Sequence, residues 1–543
     1  MKKAVIIGSG IAGLSCAISL AEKGIKSVVA SPFPPERSQS VMAAGGINAV
    51  ELTGGPDSVE MHIQDTLAGG RYIAGRNAVT SLCKAAPSIV EQLERRGTVF
   101  TRDADGSVSR RAFGGQSYPR TCYCGASTGK QIVTALVMEC RKYEALGLIE
   151  RRTWTDFHSA LIRDGVCCGA LLFNESGFEL YPEYADALVI AAGGQNALFG
   201  KTTGSMACDG YTAGKLFMQG AELKNLEFIQ YHPTTMETPQ KRMLISEAAR
   251  GEGGRLFYEE DGKRVYFLED KYGEKGNLMP RDIVSREIES AGRQVYLDVS
   301  FLGSDIIMDR IPEIYELCMK YRGIDITREP VPVSPSVHFF MGGLAVDLNH
   351  ETNIRNLYAA GECASIYHGA NRLGGNSLLA AIYGGQKAAE SVAGRDSMVT
   401  HHSFDSYVQD ETAKLMSDLG SESRFPVMYI RDMAAQNLKE DLGIVRDEKR
   451  LRKGIEDVDF YLDIADKINY DSSVLPYFNY SLTGILTLAR AVLVSADARH
   501  ESRGAHFSSD YPEENSELQA ASVISYDSGA YRVRYDREGR YEN

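Results

Sequence analysis

The run Gly8-Ser9-Gly10-Ile11-Ala12-Gly13 is the first place in the chain where residue types and spacing could do chemistry. It follows an apolar stretch, residues 4–7, and opens a stretch with helical spacing, residues 11–23. In that setting each glycine has a task. Gly8 permits a tight turn, Gly10 lets backbone approach a pyrophosphate, and Gly13 lets helix and strand pack closely. The free N–H groups at the helix start then face the phosphates. A nicotinamide dinucleotide would call for an acidic residue at the end of the next strand, to grip its ribose. Ser31-Pro32 stands there instead, which weakens that reading. Two later segments favour FAD: Ala191-Ala192-Gly193-Gly194 and Leu357-Tyr358-Ala359-Ala360-Gly361-Glu362. The second resembles a strand end that presents a carboxylate, Glu362, to a ribityl chain. The plainer role for Glu362 is a helix cap.

The elements that must hold this turn are those of an α/β fold. Residues 4–7 and 27–30 read as buried strands around a helix over 11–23, with Gly24 at its C-cap, the start of a doubly wound parallel sheet. Helical spacing recurs at 58–67, 77–96 and 128–146, and 149–187 reads as a small β layer of short strands and turns. Further strands are predicted at 187–192 and 357–360, and a helix at 377–393. The expected organisation is a Rossmann-like FAD-binding domain in two parts, 1–235 and 334–400. A capping (lid) domain, 236–333, is inserted between them, and a helical domain, 401–503, and a short β tail, 504–543, follow.

Composition narrows the function classes. The chain has 543 residues, too many for one ordinary core. A net charge of -13 argues against general affinity for nucleic acid or an anionic membrane. The ten cysteines include no C-x-x-C pair; Cys122/Cys124 and Cys167/Cys168 are poorly spaced for zinc or iron–sulfur ligation. Buried thiols in a reducing cytoplasm are expected, with no metal site. Residues 4–20 are interrupted by glycines and lack a cleavage site, so they read as strand and helix, not a signal peptide. No apolar run reaches the roughly 18–20 residues of a membrane span. Membrane contact would therefore need a partner, at the inner face.

Later motifs occur in a distinctive order. They are Gly45-Gly46, Phe113-Gly114-Gly115-Gln116-Ser117, Gln230-Tyr231-His232-Pro233-Thr234 and Ser246-Glu247-Ala248-Ala249-Arg250-Gly251-Glu252-Gly253. Pro280-Arg281-Asp282, His338 before Met341-Gly342-Gly343, and His368-Gly369-Ala370-Asn371-Arg372-Leu373-Gly374 follow. With them the chain resembles the flavoprotein subunits of fumarate reductase and succinate dehydrogenase, with L-aspartate oxidase as a close relative. The resemblance runs from Met1 to about His506. It implies FAD held also by Gly45, Gly46, Gly193, Asp209, Ser377 and Leu378. It further implies a fumarate or succinate substrate and a separate iron–sulfur subunit for electron flow. Ser246 stands where Thr is usual. In membrane-bound relatives a histidine before Gly-Gly is bonded covalently to FAD. Gln39 occupies that place in Ser38-Gln39-Ser40 and has no nucleophilic nitrogen, so noncovalent FAD is implied.

The chemistry follows from fumarate, a dianion with an electron-poor double bond. Reduction needs a hydride at one carbon, which reduced flavin N5 can supply, and a proton at the other. Preorganised donors must hold both carboxylates. Arg372 and His338 are candidates for one, since an Arg fork matches a carboxylate. His232 and Ser246 are candidates for the other, and the resemblance implies that Phe113 faces the substrate. Arg281 is the acid by resemblance alone, because Arg is ordinarily too weak an acid for the role. Glu247 and Arg250, three apart, can share a helical turn and relay protons. Taken singly, each has a plain role: a satisfied histidine, or a routine Arg281-Asp282 ion pair. The remaining histidines, His401 and His402 among them, are read as surface residues. Two other functions compete. An L-aspartate oxidase is disfavoured by the 113–117 loop, and a flavin-binding electron-transfer subunit without a substrate is disfavoured by the intact set Arg281, Arg372, His232 and His338.

Overall fold

In the computed structural model, residues 2–541 are described except 52–53, 126, 240, 396–402, 419–425, 466, 468–470, 472–473 and 538. His401 and His402 lie outside the described residues. A five-stranded parallel sheet orders its strands Leu357–Ala359, Ala187–Ile190, Lys3–Ile7, Lys26–Ser31 and Ile149–Thr153. The three central strands are almost wholly buried, as their Val/Ile/Ala-rich runs require. Helices Ile11–Glu22 and Asn376–Gly394 pack together so closely that a Cβ on Gly385 would stand 2.3 Å from the Ala12 carbonyl oxygen.

The expected β layer at 149–187 is divided differently. Ile149–Thr153 pairs in parallel with Lys26–Ser31 and forms the edge of the main sheet. Its Glu150, Arg151 and Arg152 disguise it, because an edge strand buries only part of its surface. Only Thr155–Arg163, Val166–Asn174 and Glu179–Tyr184 form the separate antiparallel layer.

Between the two halves of the sheet unit lies an insert with its own core, gathered from buried residues between Met236 and Val333. The paired strands Ile229–Glu237 and Val331–Phe340 run into it, antiparallel, with His232 opposite Ser336. Register shifts interrupt that pairing on either side of His232, where bulges re-aim side chains.

Among the described residues five helices follow, from Asp405–Asp418 to Leu482–Ala498. The tail is less independent than its local pattern suggests. Its hairpin, Ala521–Asp527 with Ala530–Asp536, completes a five-stranded sheet with Leu223–Lys224, Gly343–Ala345 and Ala364–Ser365. The pairing partner lies some three hundred residues away, so nothing local announces it. Among the described residues no helix is long and apolar enough to cross a membrane.

Candidate active site

A cavity of about 560 Å³ runs from the glycine turn to the insert. Gly8 has φ +107°, and a Cβ there would sit 2.2 Å from the Ala191 carbonyl oxygen. A Cβ on Gly13 would sit 2.0 Å from the Gly8 oxygen, so helix and strand meet backbone to backbone. At Gly10 the nearest atom to a Cβ is Ser40 Oγ at 3.2 Å, and that hydroxyl accepts a hydrogen bond from Ile11 N–H. Every residue expected at the site except Gly13 and Arg250 lines this cavity. A backbone cradle, a helix N-terminus and a cavity that runs on to Glu362 and the insert fit an FAD.

Glu362 is reached through the strand end at Leu357–Ala359. Its Oε1 accepts from Phe340 N–H at 3.1 Å, and burial pushes its pKa up to about 7. Asp209 lines the cavity, but its carboxylate is engaged elsewhere. It accepts from Arg431 Nη2 at 2.8 Å, from the Tyr477 hydroxyl at 2.9 Å and from Tyr211 N–H at 3.0 Å. It thereby ties the cavity wall to the C-terminal helices.

At the insert end the candidate substrate groups converge. His232 and His338, on the two antiparallel strands, have ring centroids 5.2 Å apart. His338 Nδ1 lies 2.8 Å from Thr203 Oγ1. Burial, then Arg281, drives both imidazole pKa values well below 6.5, so both rings are neutral in the free site. Arg372 stacks on Phe339 at 4.2 Å, and its Nε is buried with no hydrogen-bond partner among the described residues. Burial lowers its pKa to about 9.

Glu247 and Arg250 do share a turn, closed by Arg250 N–H donating to the Glu247 carbonyl at 3.0 Å. Burial opposes ionisation of Glu247, but Arg281 and Arg250 outweigh it and hold the carboxyl down at about 2. Arg250 Nη1 donates to the Asn277 carbonyl at 2.6 Å, and its Nη2 lies 3.7 Å from Glu247 Oε1. Arg250 thus stands behind Glu247 and away from the cavity. The order from interior to cavity is Arg250, Glu247, Arg281, an alternating row of charges.

Comparison with known proteins decides the family. The FAD binding domain model matches residues 3–378, and the fumarate reductase flavoprotein C-terminal model matches 431–538. The succinate dehydrogenase flavoprotein subunit of Bacillus subtilis is 39% identical over 541 residues, covering 94% of this chain and 91% of that one. The chain belongs to the fumarate reductase/succinate dehydrogenase flavoprotein family. One subunit of the CoM/CoB fumarate reductase of Methanothermobacter marburgensis is 33% identical, with 96% of each chain covered. A solved quinol-fumarate reductase with menaquinol molecules superposes with a TM-score of 0.90, at 31% identity and 98% coverage of both chains.

Two residues of this family member escaped the sequence reading. Gln230 was legible only as part of a motif, with no role. Its Oε1 accepts from Arg281 Nη1 and from Arg372 Nη2, each at 3.0 Å, so one neutral amide bridges the two arginines. Its Nε2 donates to Asn371 Oδ1 at 2.7 Å and to the Arg372 carbonyl at 2.9 Å, which sets the amide orientation. Strand alternation was the available signal, since residues two apart share a face. Thr203, which orients His338, carries no sequence signal at all.

Proposed function

We propose that this chain interconverts fumarate and succinate on noncovalently held FAD and works beside a separate iron–sulfur subunit. The observation that carries the reading is the meeting of Arg281 and Arg372 on Gln230, beside His232, His338 and Ser246, at the end of a flavin-sized cavity. Bound FAD would supply the hydride chemistry at N5; every other task falls to side chains. Arg372 holds one carboxylate through its fork, with His338 beside it. His232 and Ser246 hold the other. Neutral imidazoles donate without adding charge, while the guanidiniums stabilise charge that develops on a carboxylate as the alkene is attacked.

Arg281 delivers the proton to the carbon opposite the hydride. It is an unusual acid, but Glu247 sits against it and Arg250 behind that, so a proton lost by Arg281 has a short route for replacement. Gln39 lines the cavity and has no nucleophilic ring nitrogen, which supports noncovalent FAD. The electrons require a carrier. The relatives named above are subunits of larger enzymes, which supports an iron–sulfur partner through which any membrane attachment is made, at the cytoplasmic face.

The test is a steady-state assay of the purified flavin-loaded chain with fumarate and reduced viologen, run beside aspartate with oxygen. Fumarate-dependent viologen oxidation is expected. Hydrogen peroxide formed from aspartate, with no fumarate reduction, would replace this reading with the oxidase.

A further inference from the structure

Asn48 is fully buried at the end of the two-residue strand Ile47–Asn48, just after Gly45-Gly46. Its side chain is saturated. Oδ1 accepts from Gln116 Nε2 at 2.9 Å and Thr121 Oγ1 at 2.7 Å; Nδ2 donates to the Gly374 carbonyl and Asn376 Oδ1, both at 2.7 Å. Two lone pairs and two hydrogens are all used, so the amide has one orientation. Its backbone N–H adds a bond to the Gly375 carbonyl at 3.1 Å. Gly375, at φ +84°, leaves no room for a side chain: a Cβ there would stand 2.0 Å from Asn48 Oδ1.

The partners extend the network in two directions. Gln116 Oε1 accepts from Phe113 N–H at 3.1 Å, and its Nε2 also reaches the Gly374 carbonyl at 3.2 Å. Asn376 Oδ1 lies 3.0 Å from His62 Nε2, and Asn376 Nδ2 donates to Thr66 Oγ1 at 2.9 Å. His62 is buried, which lowers its pKa to about 4, so it serves this network as a neutral donor. The Phe113 ring fills the space left by two glycines. It lies 3.0 Å from a Cβ built on Gly45 and 2.9 Å from one built on Gly374.

We propose that Asn48 is a positioning residue for the substrate end of the cavity, acting with Gln116 and Asn376 as one buried amide hub. The hub ties the loop that carries Phe113 to the turn that follows Arg372. Three of the four Asn48 side-chain bonds end on these two segments, at Gln116, Gly374 and Asn376; the fourth is to Thr121 on the neighbouring strand. None of the three amides lines the cavity. Its effect is registration: without it the loop and the turn can shift separately, and displacements of about 1 Å at a reacting site cost up to a hundredfold in rate. The inference rests on the dicarboxylate reading of the cavity.

The test uses the flavin-loaded full chain with Gln116→Met, Asn48→Ser and the double variant. Malonate binding is followed by the flavin absorbance change, with fumarate KM and kcat and the melting temperature alongside. Each single variant should raise the malonate Kd and the KM about tenfold or more and lower kcat. The double variant should be no worse than the weaker single, because the hub is one unit. Unchanged Kd and KM in folded Gln116→Met, with only a lower melting temperature, would overturn the proposal, and so would effects that multiply. If Asn48→Ser does not fold, Gln116→Met decides alone. Wild-type protein that neither binds malonate nor reduces fumarate overturns the dicarboxylate reading and this one with it; unaltered variants beside an active wild type overturn this one only.

Discussion

Arg281 aims both Nε and Nη2 at a single oxygen of Glu247, at 2.8 and 2.7 Å, and the other oxygen accepts from the Gly114 amide at 2.7 Å. The carboxylate therefore fixes the guanidinium plane and also pins the loop beside Phe113. Glu247→Gln presents an amide NH₂ to one of these donors, so either the fork or the loop bond is lost. Turnover should fall by about 10² to 10⁴, with malonate affinity kept within a few-fold. Arg281→Lys should behave alike, since proton delivery matters in the transition state. Steady-state kinetics with a malonate titration checks this; a loss confined to KM would make Arg281 a carboxylate anchor instead.

Gln230 keeps two cations close without neutralising either. Gln230→Glu places a carboxylate between Arg281 and Arg372, and charge-assisted bonds of about 1.5–3 kcal/mol would hold them there. The variant should bind malonate about 10- to 100-fold more weakly, because the Arg372 guanidinium is already engaged by a carboxylate. Calorimetric or absorbance titration decides; undiminished affinity would show that the bridge does not govern the clamp.

The lowered pKa of Arg372, about 9, has a definite sign. A cation whose pKa is depressed is charged below that value and loses its proton as pH rises through it. Malonate affinity should be level from about pH 7 to 8 and weaken by roughly tenfold per unit above about pH 9. Titrations across that range test this; constant affinity to about pH 10.5 would show that Arg372 keeps its proton throughout.

Flavin attachment is the simplest check. Acid or heat denaturation should release FAD into the supernatant and leave the polypeptide unmodified, because Gln39 cannot be alkylated as a histidine can. Flavin fluorescence that migrates with the denatured chain on a gel would contradict this.

The sequence by itself determined what contiguous residues can specify. The Gly8–Gly13 turn was legible because its strand, turn and helix are neighbours in the chain, and the steric demands fall within that run. The family motifs were legible for the same reason. Tertiary structure alone decided what depends on contact between distant segments. Ile149–Thr153 became a sheet edge through pairing more than a hundred residues away, and the tail hairpin joined a sheet begun at Leu223. Arg281 and Arg372 meet on Gln230, and Asn48 reaches Gln116 and Gly374, only because the insert and the sheet unit close around one cavity. Local spacing can state which groups are present. Hydrogen-bond lengths between residues hundreds of positions apart are set by packing, and packing belongs to the folded chain as a whole.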